Sequence, residues 1–181
     1  TSFLMQGLLA ARQYFSQEND QEKLIRDKIT DLWKKVEFDW FRRYPDGDYL
    51  FWHWSPDQAW VVNHRLIGWN ETMIVYLLAI ASPTHPVPAG MYYSGWASQD
   101  SLAQQYRSRW GRSVDGSMYI NGNAYYGIKL DVGVNNGGPL FFTHYSYMGY
   151  DPHFIADRYT NYFINNQNIA RINYNYCLDN P

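Results

Sequence analysis

At 181 residues the chain can bury a sizeable core, and 46% hydrophobic against 18% charged residues excludes both a disordered chain and a coiled coil. A net charge of −2 leaves no basic footprint for nucleic acid or anionic lipid. The longest apolar run, Met73 to Ala81, falls far short of the roughly 20 residues of a membrane span, and the single cysteine, Cys177, excludes an internal disulfide and a cysteine-based metal cluster.

Thr1-Ser2-Phe3-Leu4-Met5 carries no initiator methionine and no basic leader, and it reads as the inside of a helix, so a processed chain or a fragment is expected. Phe3, Leu4, Leu8, Leu9, Arg12 and Phe15 fall at helical spacing, and residues 16–20 form a polar break. Residues 21–40 place Leu24, Ile25, Ile29, Leu32, Trp33 and Val36 between charges, which predicts an amphipathic helix of about five turns antiparallel to the first. Tyr44-Pro45-Asp46-Gly47-Asp48 is a turn, and 49–54 a short strand. Asn70 is placed to cap a helix over 71–81, apolar almost all round and therefore buried, that Ser82-Pro83 stops. Short helices are expected over 86–92 and 99–110, and a β-hairpin about Asn121-Gly122-Asn123. A loop follows at 135–139, and a last helical region over 154–176. The balance is mainly α, with long loops and a small β-hairpin, in a single domain over 1–181.

Aromatic residues are the strongest compositional signal, with 8 Trp, 17 Tyr and 9 Phe. Flat rings with a polar handle suit sugar-binding clefts, and protein-binding surfaces draw on the same residues. Four of the tryptophans fall in WHWSPDQAWVVNHRLIGWNE, residues 52–71. Trp52 and Trp54 point to opposite faces if this begins as a strand. His53, His64, His85, His144 and His153 lack metal-ligand spacing and there is no calcium loop, so no metal site is expected, and no phosphate cradle or G-x-S-x-G elbow is present.

Glu71 has two readings. An acid in the first turn of a helix is stabilised by the helix dipole. Alternatively Trp54, Trp60 or Trp69 exclude water around it, raise its pKa and make it a general acid. The sequon Asn70-Glu71-Thr72 precedes an apolar helix and is a chance match. His144, within FFTHYSY, reads as a hydrogen-bonded core histidine, and Asp157 with Arg158 as a structural pair.

Four segments together carry a resemblance: FWHWSPDQAWVVNHRLIGWNE, TMIVYLLAIASPTHPVP, GGPLFFTHYSYMGYDP (taken as a loop) and DRYTNYFINNQNIARINYNYCLDNP. They resemble the glucoamylase-like proteins of glycoside hydrolase family 144, whose activity is endo-β-1,2-glucanase. The resemblance implies that the chain is a fragment, about half, of an (α/α)6 toroid. It also implies inverting endo-hydrolysis of β-1,2-glucan with Glu71 as general acid. Trp54, Trp60, His64, Arg65, Trp69, Asn70, His144 and Tyr145 would line the sugar subsites. Inversion needs a base that activates water, which is not assigned among these residues. The implied partners are an oligo- or polysaccharide substrate and the remaining barrel segments of the same protein, with no cofactor, in a bacterial periplasmic or secreted location. Two other readings stand beside it: a non-catalytic carbohydrate-binding module, and a structural segment whose aromatics are all core.

Overall fold

Helix α1 (Ser2–Tyr14) and helix α2 (Asp20–Lys34) form the expected helical hairpin. Asn19 caps α2 by accepting the Glu22 N–H at 2.9 Å, and Arg26 Nη1 closes the connection on the carbonyls of Phe15 and Gln17, each at 2.9 Å. α2 stops at Lys34 and not at residue 40. The N–H groups of Lys35 and Val36 turn back to the carbonyls of Leu32 and Trp33 and tighten the last turn. Buried Phe38 then draws the chain into a 3₁₀ turn over Asp39–Arg42.

This computed structural model describes residues 1–111 and 115–181, which divide into two compact units. The first is Thr1–Leu66 with Ile74–Gly95; the second is Ile67–Met73 with Trp96–Pro181. In the first unit the expected strand at 49–54 is reduced to bridge pairing of Phe51 with Arg65, flanked by Trp52 N–H to His64 O and Leu66 N–H to Leu50 O, both 2.8 Å. Helix α3 (Met73–Ala81), of this unit from Ile74 onward, is apolar and mostly buried, as its composition requires. Its one hydroxyl is satisfied: Tyr76 accepts from Leu50 N–H at 3.0 Å and donates to Leu66 O at 2.9 Å. A single π turn, Tyr92–Trp96, takes the place of the helix expected over 86–92.

The second unit contains α4 (Ser101–Gly111), the hairpin β1 (Ala124–Tyr125) and β2 (Ile128–Lys129), α5 (Phe141–Tyr147) and α6 (Tyr162–Asp179). The hairpin tip is Tyr126-Gly127, with φ of +54 and +73, the double positive pair of a type I′ turn. Asn121-Gly122-Asn123 lies instead on one arm. The Asn121 N–H donates to Asp131 O at 2.8 Å, and its side-chain amide is taken up by the carbonyls of Gly133 and Asn135. α5 occupies the segment expected as loop. α6 begins at Tyr162, later than residue 154, because Asn161 caps it by accepting the Ile164 N–H at 3.1 Å. The core of this unit gathers Trp96, Tyr119, Leu130, Val132, Tyr162, Ile169 and Ile172.

Candidate active site

The turn that carries Glu71 lies in the second unit and is fixed residue by residue. Gly68 donates its N–H to Trp96 O at 2.9 Å and accepts Arg107 Nε on its own carbonyl. Arg107, fully buried, also donates from Nη1 to Ser117 O at 3.2 Å, with its guanidinium 5.7 Å from the Tyr119 ring centre. Trp69 is buried against Tyr162, the two rings 5° from parallel with centroids 6.1 Å apart.

Asn70 closes the turn. Its Oδ1 accepts the Thr72 N–H at 3.0 Å and the Thr72 hydroxyl at 2.7 Å, while Nδ2 donates to Ile67 O at 2.8 Å. This is an Asx turn, not a helix cap, and it corrects the expected helix start by two residues. Glu71 therefore precedes α3 and does not sit in its first turn.

Two further side chains meet Glu71 and two more meet Met73 at the end of the turn. The Glu71 carbonyl accepts the Ser146 hydroxyl of α5 at 2.7 Å. Burial, and then the Glu71 charge, push the Tyr106 phenol of α4 above its ordinary range, while a hydrogen bond to the Asn70 side chain pulls it back. At the far end of the turn the hydroxyls of Tyr150 and Tyr147 donate to Met73 Sδ at 3.0 and 3.5 Å. Burial raises both of these phenols, so they stay neutral donors across the working pH range. The result is a half-buried glutamate on a backbone held by α5, with the Tyr106 phenol within reach of its charge.

Trp54, Trp60, His64 and Arg65 belong to the first unit. Trp40 stands edge-on to Trp54 (5.6 Å, 86°) and stacks on Trp60 (6.4 Å, 28°). Phe51 meets Trp60 edge-on at 5.8 Å, and Arg65 lies over Phe51 at 5.3 Å. Val36, Trp40, Phe41 and Trp54 line part of a groove of about 540 Å³. His64 is exposed, edge-on to Trp52.

His144 and Tyr145 are exposed on α5, whose buried side is Phe142, Thr143 and Ser146. His144 is thus not a core histidine, because it lies on the opposite face of the helix. Asp157 accepts from Tyr162, and Arg158 turns to Tyr159, its Nη2 3.0 Å from that hydroxyl. Sequence reasoning missed Tyr106, Arg107, Ser146 and Tyr162. The spacing of Ala103, Tyr106, Arg107 and Trp110 at i, i+3, i+4 and i+7 is a signal that could have found the first two.

Residues 63–181 match a protein-family model described as "Putative glucoamylase". Over 180 residues the chain is 65% identical to the exo β-1,2-glucooligosaccharide sophorohydrolase (non-reducing end) of Parabacteroides distasonis, covering 99% of this chain and 25% of that protein. A crystal structure of a β-1,2-glucanase from the same organism is similar with a TM-score of 0.97 at 65% identity, over 99% of this chain and 26% of that one. The endo-β-1,2-glucanase of Chitinophaga pinensis, solved with sophorotriose and glucose, gives 0.84 at 42% identity, over 100% and 40%. The chain spans about a quarter of the length of the curated relative. The expected fold class, mainly α and part of an (α/α)6 toroid, holds against these neighbours.

Proposed function

The chain belongs to the glucoamylase-like family whose model it matches, and from that membership we propose that it serves a glycoside hydrolase acting on β-1,2-linked glucan, with Glu71 as general acid. What carries the reading is one observation: the only acid of the Trp69-Asn70-Glu71 turn sits on backbone fixed by Trp96, Arg107, Asn70 and Ser146. A proton donor needs such a fixed address. In the reaction Glu71 passes its proton to the glycosidic oxygen as the C1–O bond breaks. A water then attacks C1 from the opposite face and gives its proton to a general base. Other segments of the same protein cover the apolar side chains left exposed on α1, α2 and α6, such as Leu4, Leu24, Leu32 and Leu178.

The relatives divide between end-wise and internal cleavage. Identity of 65% to the exo sophorohydrolase, against 42% to the endo-glucanase, favours release of sophorose from the non-reducing end over the endo mode expected from sequence. One set of digests tests all of this, with linear β-1,2-glucan and α-1,4-glucan given to the full-length protein and to its Glu71→Gln variant. We expect sophorose from the first polymer, little from the second, inverted product by anomer-resolved NMR, and a rate lowered about 10²–10⁴-fold in the variant. Early products of mixed length mean the endo mode. Full turnover by Glu71→Gln removes the acid assignment, and glucose released from α-1,4-glucan alone removes the substrate.

A further inference from the structure

Beneath Trp69 runs a hydrogen-bond chain that the reaction itself does not use. Trp96 Nε1–H donates to the Tyr119 hydroxyl at 3.2 Å, the Tyr119 and Tyr162 hydroxyls meet at 3.0 Å, and the Tyr162 hydroxyl donates to Asp157 Oδ2 at 2.8 Å. All three rings are fully buried. An indole nitrogen only donates and a carboxylate only accepts, so the two ends fix the direction. Tyr162 gives its proton to Asp157, which leaves the Tyr162 oxygen to accept from Tyr119. Asp157 is held in turn, its Oδ1 accepting the N–H groups of Tyr159 at 2.8 Å and Thr160 at 3.2 Å.

Every member of this chain except Asp157 is built into the support of Gly68 or Trp69. Trp96 presses its ring against the Gly68 α-carbon and takes the Gly68 N–H on its carbonyl. Tyr119 lies beside Trp69, centroids 6.4 Å apart, and under the Arg107 guanidinium that holds the Gly68 carbonyl. Tyr162 stacks on Trp69. We infer that Asp157 is a positioning residue for Glu71: as the terminal acceptor it gives the Trp96–Tyr119–Tyr162 chain one direction and so fixes the seat of the turn. The inference rests on the reading of Glu71 as the acid.

An amide at 157 offers Tyr162 either an oxygen or an NH₂. In the second case Tyr162 must turn its proton on Tyr119, whose oxygen already takes the Trp96 N–H, and the chain loses its single direction. Catalytic geometry is sensitive on this scale, a misplacement of about 1 Å being able to lower a rate about 100-fold. With the rings still packed, we expect about a tenfold fall in kcat at a KM unchanged within about twofold.

The test measures kcat, KM and Tm on β-1,2-glucooligosaccharides for the full-length protein and its Asp157→Asn, Tyr162→Phe and doubly substituted forms. We expect each single change to lower kcat as stated, and the double change to do no worse than the worse single, because both break the same link. A folded Asp157→Asn with full kcat overturns the inference, as do two effects that multiply. If Asp157→Asn fails to fold, Tyr162→Phe, which keeps the ring stack, decides alone: lowered kcat at constant KM supports the inference and full kcat overturns it. Glu71→Gln is assayed in parallel. If it is active, the acid reading fails. If it is inactive while the Asp157 and Tyr162 variants run at full rate, only the positioning role fails.

Discussion

A β-carbon added at Gly68 would lie 2.6, 2.7 and 2.9 Å from three atoms of the Trp96 indole, which is itself completely buried. Neither side can yield. The Gly68 N–H is bonded to the Trp96 carbonyl, and the Trp96 ring nitrogen is bonded to Tyr119. Gly68→Ala is therefore an overpacking substitution of the kind that destabilises by about 1–3 kcal/mol or more. We expect a lowered denaturant midpoint at unchanged slope, with a fall in kcat beyond what the lost stability accounts for, since the shift falls three residues from Glu71. An unaltered midpoint would show that the indole moves aside. That Asn70 and Glu71 form a polar turn ahead of α3 was legible because the signal is local, a polar pair between an aromatic turn and an apolar run, while the Asx geometry of Asn70 was not. Ser146 and Tyr162 were not, because each meets the turn from a distant part of the chain and nothing in its local spacing marks it.

Elements were legible where a stripe or a chemical stop defines them. α1, the start of α2 and α4 follow from spacing, and the body of α3 from its apolar run and Ser82-Pro83 stop. The end of α2 did not, since buried Phe38 and a tightened last turn overrode a pattern that continues to residue 40. α5 has only seven residues and follows Gly137-Gly138-Pro139, so its buried face is set by its neighbours and not by repeat. The hairpin tip moved because the Asn121 side chain, the best turn signal, is occupied by two carbonyls of another segment. α6 carries an N-cap in Asn161, whose Oδ1 satisfies one end N–H. Replacing it by Ala should cost about 1 kcal/mol, read as a lowered Tm with helix content otherwise unchanged. A Tm equal to wild type would show that the first turn of α6 is held by packing alone.

Across the molecule, burial pushes the phenols of Tyr76, Tyr147 and Tyr150 well above the ordinary value of 10.0. A phenol whose folded pKa exceeds its unfolded one holds its proton more tightly when folded, so its stabilisation is intact below pH 10 and drains as pH rises past that value. We expect stability to fall steeply above about pH 10, with part of the phenolate absorbance appearing only as the protein unfolds. Complete phenolate titration with the fold retained would contradict the burial of these three rings. The second unit is discontinuous: residues 67–73 belong with a chain that resumes only at Trp96. On the ribosome, at about 5–20 residues per second, Glu71 emerges seconds before Ser146, which stands 75 positions later, and Tyr162 comes later still. The glutamate is made early and set late: a nascent chain that has not yet released α6 lacks the Tyr162 ring on which Trp69 stacks, so the seat of the turn closes only after α6 is out.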